Sequence, residues 1–153
     1  MPHPTIIIRD PAATDETAWR NLWSQYNAFY EADVPETVTA RTWQRILDPA
    51  AAMFGRLAAS DGEIVGFSSS SLHDSTWTIA PVCYLEDLFV APTFRGRGIG
   101  RLLIADLVDA ARAKGWSRLY WHTRDSNPAR RLYDEFAKAD GFVRYKMNFP
   151  DRS

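Results

Sequence analysis

The feature that most constrains this 153-residue chain is a run of three glycines at alternate positions, inside Arg95-Gly96-Arg97-Gly98-Ile99-Gly100-Arg101. Upstream, Val82–Val90 is strand-like and is closed by Ala91-Pro92. Downstream, Ile99, Leu102, Leu103, Leu107, Ala110 and Ala111 recur at helical steps until Gly115 supplies a stop. Glycine permits backbone conformations closed to other residues and lets a ligand approach the main chain. The N–H groups of such a turn, with those opening the helix, converge on a point that suits an anion, aided by the helix dipole. Arg95, Arg97 and Arg101 add positive charge there, and a phosphate group is the natural ligand. Spacing narrows the choice. Counted from Gly98, the place of the third glycine in a dinucleotide fingerprint is held by Leu103, and the Gly-Lys-Ser or Gly-Lys-Thr of a P-loop is absent.

The rest of the chain reads as an alternation of strands and helices. Thr5–Arg9 is a first strand. A helix starts near Asp15-Glu16, with Trp19, Leu22, Trp23, Tyr26, Phe29 and Tyr30 as its buried stripe, and Pro35 ends it. A second helix spans about Thr39 to Leu47. Met53–Ala59 and Glu63–Leu72 form a hairpin at Asp61-Gly62, and His73-Asp74-Ser75-Thr76 is a polar connection to the strand Val82–Val90. After the glycine turn and its helix come a short strand at Leu119–Thr123, a helix opened by Asn127-Pro128 and running to about Ala139, and a last strand at Phe142–Phe149. This order implies an α/β fold. It has a central mixed sheet of about six to seven strands with helices on both faces, parallel in its second half. A single domain covers residues 1–153.

Other classes are set aside on composition. No apolar run approaches the roughly 20 residues of a membrane span. The first ten residues have no basic n-region and only three consecutive apolar residues, so no secretory leader is expected, and a single cysteine, Cys83, fits a reducing cytoplasm. His3, His73 and His122 lack ligand spacing, so no metal is expected. The net charge of −1 conceals a division: residues 1–94 carry 5 basic and 12 acidic side chains, whereas residues 95–146 carry 12 basic and 6 acidic. The basic half begins at the glycine turn, which suits an anionic ligand there and a cationic partner for the acidic half; differently solvated helix faces are the competing reading. A nucleic-acid module built on Arg95, Arg97, Arg101, Arg130 and Arg131 conflicts with an isoelectric point near 6.3.

Arg-x-x-Gly-x-Gly, as Arg95, Gly98 and Gly100, resembles the pyrophosphate-binding motif of the GNAT family of acetyl-CoA-dependent N-acetyltransferases. Tyr84-Leu85-Glu86-Asp87-Leu88-Phe89-Val90 resembles the central strand of that family, in look closest to its polyamine, diamine and histone/polyamine-type members. Leu132-Tyr133, eight residues before Gly141-Phe142, is similar to its tyrosine-bearing late helix. The clear likeness covers about Gly62 to Phe142. It implies a GNAT-like three-layer fold and an enzyme that moves an acetyl group from acetyl-CoA, used as co-substrate, to a primary amine by direct attack in a ternary complex. The acceptor would be a polyamine, diamine, amino acid, or a lysine-like or N-terminal amine of a peptide. The rivals are an enzyme with another acyl-CoA or a neutral acceptor, and a non-catalytic CoA sensor. A homodimer paired through the last strand is an option; nucleic acid and membrane are not expected partners.

The resemblance also assigns roles. Gly96, Gly98, Ile99 and Gly100, with Arg95, Arg97 and Arg101, would hold the pyrophosphate, while Leu88, Phe89 and Val90 would meet the pantetheine and thioester with their main chain. The family's helix opens with Asn seven residues before its Tyr. Here that place is Ser126, with Asn127 next, and either can cap the helix and meet the pantetheine arm. An alkyl ammonium, with a pKa near ~10.4, must lose a proton before it attacks. Glu86 and Asp87 are the candidates, but neighbours on a regular strand face opposite ways and could not work as a pair. The resemblance favours Glu86 as base, leaving Asp87 to hold the amine or serve the sheet, and makes Tyr133 the acid for the departing thiolate; core packing is the plain alternative for Tyr133. Trp77 either lines the acceptor channel or is core. Glu31, Asp33 and Glu36 lie between the first two helices, where they would attract a cationic acceptor or form a solvated loop. Cys83 has no activating partner in sequence, which disfavours an acetyl-cysteine step.

Overall fold

The computed structural model describes residues 4–151, which fall into two compact units, one ending at His122 and the other starting at Thr123. The first is a five-stranded sheet in the order β1 (Ile6–Arg9), β2 (Met53–Ser60), β3 (Glu63–Ser75), β4 (Thr78–Val90), β5 (Arg118–Tyr120). Neighbours are antiparallel except β4 and β5, which run parallel. Helices α1 (Glu16–Phe29) and α2 (Glu36–Leu47) cover one face and α3 (Ile99–Lys114) the other.

Each face has its own core. Trp19, Leu22, Trp43, Ile46, Leu57, Phe67 and Phe89 pack under α1 and α2, whereas Ala58, Val65, Ile99 and Leu103 pack under α3. Asp15 orders the start of α1: its carboxylate accepts hydrogen bonds from both terminal nitrogens of Arg9, at 2.8 and 2.9 Å, and from the Ala12 N–H at 2.7 Å. The helix then stops at Phe29, before Pro35. The Ala32 N–H donates to the Asn27 carbonyl (2.8 Å) and the Glu31 N–H to that of Ala28 (3.1 Å), a Schellman end with Glu31 at the left-handed position (φ 53). The Asp61-Gly62 turn is as expected, with both residues at positive φ.

Two expectations need correction within the first unit. His73–Thr76 is not a polar connection: β3 continues to Ser75, β4 begins at Thr78, and Thr76-Trp77 forms the turn between them. Ladder pairing overrides the polar composition, because Ser75 and Thr78 accept and donate local bonds at the hairpin end, to the Trp77 N–H and the Ala80 carbonyl. The sheet also has five strands among the described residues, not six or seven.

The missing strand belongs to the second unit. Phe142–Phe149 carries a strand-like pattern but has no ladder partner among the described residues, and Phe142, Val143, Tyr145, Met147 and Phe149 are all exposed. Pattern without a partner does not make a strand. The late helix is likewise shorter than expected: α4 spans Arg130–Tyr133, with hydrogen-bonded turns continuing to Ala137.

Candidate active site

The parallel pairing of β4 with β5 is brief, joining only Val82–Tyr84 to Arg118–Tyr120. From Leu85 onward β4 is laddered on one side, to β3, and among the described residues no strand pairs with its other edge. Leu88, Phe89 and Val90 lie on this open stretch, which leads directly into the glycine turn. Gly96 and Gly98 adopt φ of 77° and 79°, conformations that strain any side-chain-bearing residue, and Gly98 is the left-handed residue preceding α3. No side chain caps the helix there, and the Leu102 N–H, bonded to the Gly98 carbonyl at 3.0 Å, is the first to close a helical turn. The N–H groups of Ile99 and Gly100 therefore have no acceptor within the helix. An open strand edge that ends at an uncapped helix start suits an extended amide-bearing chain terminated by phosphates.

The arginines at the turn are engaged by aromatic rings. Arg95 donates from Nε to the Val90 carbonyl (3.0 Å), and its guanidinium lies 5.4 Å from the Phe89 ring centre and 5.9 Å from that of Phe29. Arg97 lies 5.0 Å from the centre of the Phe94 ring. Arg95 thus spans from the end of β4 to the end of α1.

The carboxylates sit at an irregularity the sequence did not announce. Ser69 pairs with Asp87 and Ser70 with Leu85, so Glu86 is an extra residue, a β-bulge in β4. Regular alternation breaks there, at the residue between Leu85 and Asp87. Glu86 is exposed, while Asp87 is half-buried and, through Ser69 and Phe67 on the neighbouring strand, belongs to the face covered by α1 and α2. Burial pushes the Asp87 carboxyl up to about 6. The Tyr26 hydroxyl opposes this, the negative charge of Glu86 adds to it, and Ser69 opposes it weakly. Tyr26 and Asp87 bear on one another's ionisation, and the buried Ser69 Oγ makes no well-formed hydrogen bond. Burial, then the charge of Asp87, raises the Tyr26 phenol far beyond any working pH, so it stays a donor. Tyr26 is the residue that sequence reasoning missed: its place in an apolar helical stripe marked it only as core.

The remaining expected residues lie as follows. Trp77 is 80% exposed at the tip of the β3–β4 hairpin, so it is not core. Glu31 is exposed at the end of α1, but Glu36 is bonded to Arg20 at 2.8 and 3.0 Å, which makes it an ion-pair partner rather than a free acid. Cys83 is fully buried and its thiol is raised to about 11, chiefly by burial, the opposite of an activated nucleophile. Within the second unit, Asn127 makes a turn ahead of α4, whose cap position is held by Ala129 without a side-chain capping bond: the Asn127 Oδ1 accepts from the Ala129 N–H (2.9 Å) and its Nδ2 donates to Thr123 Oγ1 (2.8 Å), whereas Ser126 is exposed. Tyr133 closes α4, half-buried. Among the described residues, no three His, Cys, Asp or Glu side chains gather where they could hold a metal ion, and no helix is long and apolar enough to cross a membrane.

A strand edge left unpaired beyond a short parallel neighbour and leading through a glycine turn into a helix suits a phosphate-bearing donor with an extended amide arm. The sequence profile of the acetyltransferase (GNAT) family matches residues 17–137, and the chain belongs to that family. It is 32% identical over 151 residues, 97% of this chain and 94% of its relative, to the D-amino-acid N-acetyltransferase of Saccharomyces cerevisiae. It is 33% identical over 103 residues to the thialysine N-epsilon-acetyltransferase of Caenorhabditis elegans, covering 63% of this chain and 64% of that one. Among solved structures it is similar to an aminoglycoside N-acetyltransferase in complex with CoA (TM-score 0.78, 25% identity, 97% of this chain and 98% of that one). The protein is an N-acetyltransferase that uses acetyl-CoA, and the open edge and turn fit that donor.

Proposed function

We propose that the enzyme acetylates a small primary amine by direct attack of the amine nitrogen on the thioester, within one acetyltransferase domain covering residues 1–153. The observation that carries this reading is the juxtaposition, on one strand, of an open main-chain edge leading to the glycine turn and a bulge at the exposed Glu86, next to Asp87. Acetyl-CoA supplies the activated acetyl group. The main chain of Leu88, Phe89 and Val90 would hold its pantetheine arm. The pyrophosphate would fall to the turn from Arg95 through Gly96, Arg97, Gly98, Ile99 and Gly100 to Arg101. Asn127, with Ser126 beside it, is the candidate second contact for the arm.

The acceptor arrives as an ammonium. In the transfer a C–N bond forms and the C–S bond breaks; the nitrogen gives up two protons, the sulfur takes one, and one is released. Glu86, exposed on the bulge, accepts the proton that frees the nitrogen lone pair, directly or through water. Asp87 and Glu31 supply negative charge for the cation, and Trp77, on its exposed hairpin tip, offers a ring face to it. Tyr133 donates to the departing thiolate. The acceptors named for the relatives, a D-amino acid and thialysine, are both small and amine-bearing, which supports that class here.

A thiol-release assay with acetyl-CoA and a panel of D- and L-amino acids, thialysine, spermidine and an aminoglycoside tests the reading. Turnover with at least one amine is expected, and none with any would overturn it. Tyr133→Phe should lower kcat with little change in the KM for acetyl-CoA; full activity rejects its role as acid.

A further inference from the structure

We infer that Tyr26 is a positioning residue of the acceptor site, holding the Asp87 carboxylate ready for the acceptor's ammonium on the sheet face beneath α1. The inference rests on the amine-acetyltransferase reading above and goes beyond it by assigning a role to a residue of the aromatic stripe.

The placement follows from register and ring packing. Asp87 and Phe89 share a face of β4, across from Ser69 and Phe67 on β3. The Tyr26 ring stands edge-on to both phenylalanines, with centroids 5.8 Å from Phe67 and 5.9 Å from Phe89. Trp23 and Tyr30 flank it at 5.7 and 4.9 Å. A ring packed against these four neighbours has little freedom, and Asp87 is the next residue along β4 on the same face as Phe89, against which that ring stands.

The groups around Asp87 divide by sign. Glu86 on β4 is the like charge. Tyr26 on α1 and Ser69 on β3 are neutral hydroxyls that favour the ionised form, and Tyr30 bears on Tyr26 rather than on Asp87. Arg95, over Phe89 and Phe29, is the nearby cation borne by the following loop. An arriving ammonium would lie between two carboxylates that otherwise repel, and would be held by both. Tyr26 keeps Asp87 ionised in a buried place where it would otherwise take up a proton, so it tunes the pH above which the acceptor binds.

The direction of the effect is therefore set. Removing the hydroxyl removes a contribution that lowers the Asp87 pKa, so Asp87 in Tyr26→Phe should titrate above its present value of about 6. Glu86→Gln removes a like charge and should move it the other way. Two measurements read this: carboxyl carbon NMR titration of Asp87, and the pH dependence of kcat/KM for the fastest amine of the panel. With Tyr26→Phe, the KM for the amine should rise roughly fivefold, the loss of about one hydrogen bond, while that for acetyl-CoA stays constant. The acid limb should move to higher pH. A Tyr26→Phe enzyme with an unchanged Asp87 titration and unchanged amine KM overturns the inference, even where the wild type is fully active. A purely structural Tyr26 would lower thermal stability and raise neither the limb nor the amine KM selectively, which also overturns it. Absence of turnover by the wild type on every amine removes the reading beneath it.

Discussion

The two faces of the sheet solve the same packing problem with different chemistry. Under α3 the core is aliphatic, with Leu103, Ile104 and Leu107 fully buried. Arg56 is its partly buried polar insertion, satisfied by both oxygens of Asp106 (2.9 and 3.0 Å) and by Asp10. Under α1 and α2 the core is aromatic, with Trp19 stacked on Trp23 and tilted against Trp43, and it borders the half-buried Asp87 carboxylate. The first face holds the helix that starts at the glycine turn; the second holds the acids. The difference teaches where the stability of this fold is given up. A buried Asp87 raised to about 6 is a cost in the folded state, and such costs gather where charge is needed for chemistry.

Several substitutions would break or sharpen that contrast. Leu103→Ala should destabilise by about 2–5 kcal/mol, measured by urea unfolding, because it empties a fully buried site on the aliphatic face. It should leave the Asp87 titration where it is; a shift of that titration would show that the faces are coupled. Asp87→Asn should act in the opposite sense. A folded pKa raised from 3.8 to about 6 means that the folded state binds a proton more readily, so stability falls as pH rises from about 4 to about 6 and the deficit is complete above that. The neutral variant should then be more stable by up to roughly 3 kcal/mol at pH 8, with no gain at pH 3 and with weakened amine binding. A destabilised Asp87→Asn at pH 8 would refute the asymmetry.

Asp15 provides the reverse case on the same side of the sheet. The Arg9 hydrogen bonds hold its carboxyl below the usual range, so its contribution is present above the unfolded pKa and is lost as pH falls through the folded one. Asp15→Asn should cost about 1–2 kcal/mol near neutrality and progressively less towards low pH. The smallest effect concerns Glu31. With φ at 53° it occupies a position where glycine is favoured, so Glu31→Gly should stabilise by up to about 1 kcal/mol. If Glu31 also helps to attract the acceptor, the same change raises the KM for a polyamine in a salt-dependent way.

Much of the first unit was legible in the residues. The helix after the glycine turn spans Ile99–Lys114, as its periodicity and Gly115 require, and the Asp61-Gly62 hairpin forms where that dipeptide predicts it. Both signals are local, carried by residues a few positions apart. The candidate site was legible to the same extent. The turn is written in its glycines, whereas the bulge at Glu86 is not, because a bulge arises from the pairing of two strands and neither strand encodes it alone. Tyr26 escaped for the same reason: its stripe says that it faces inward, not that a carboxylate lies opposite.

The second unit marks the limit more sharply. Asn127-Pro128 turns the chain ahead of a short helix that begins only at Arg130, and the alternating Phe142–Phe149 forms no strand, since a strand exists only with a ladder partner that local sequence cannot supply. By itself, then, the sequence determined the glycine turn, the helices of the first unit and the Asp61-Gly62 hairpin, all of which rest on short-range spacing, and its motifs carried the family resemblance. The tertiary structure alone decided the open edge of β4, the bulge at Glu86, the burial that raises Asp87, and the phenol packed near it. Those four depend on which strands and helices meet, and meeting is a property of the whole chain.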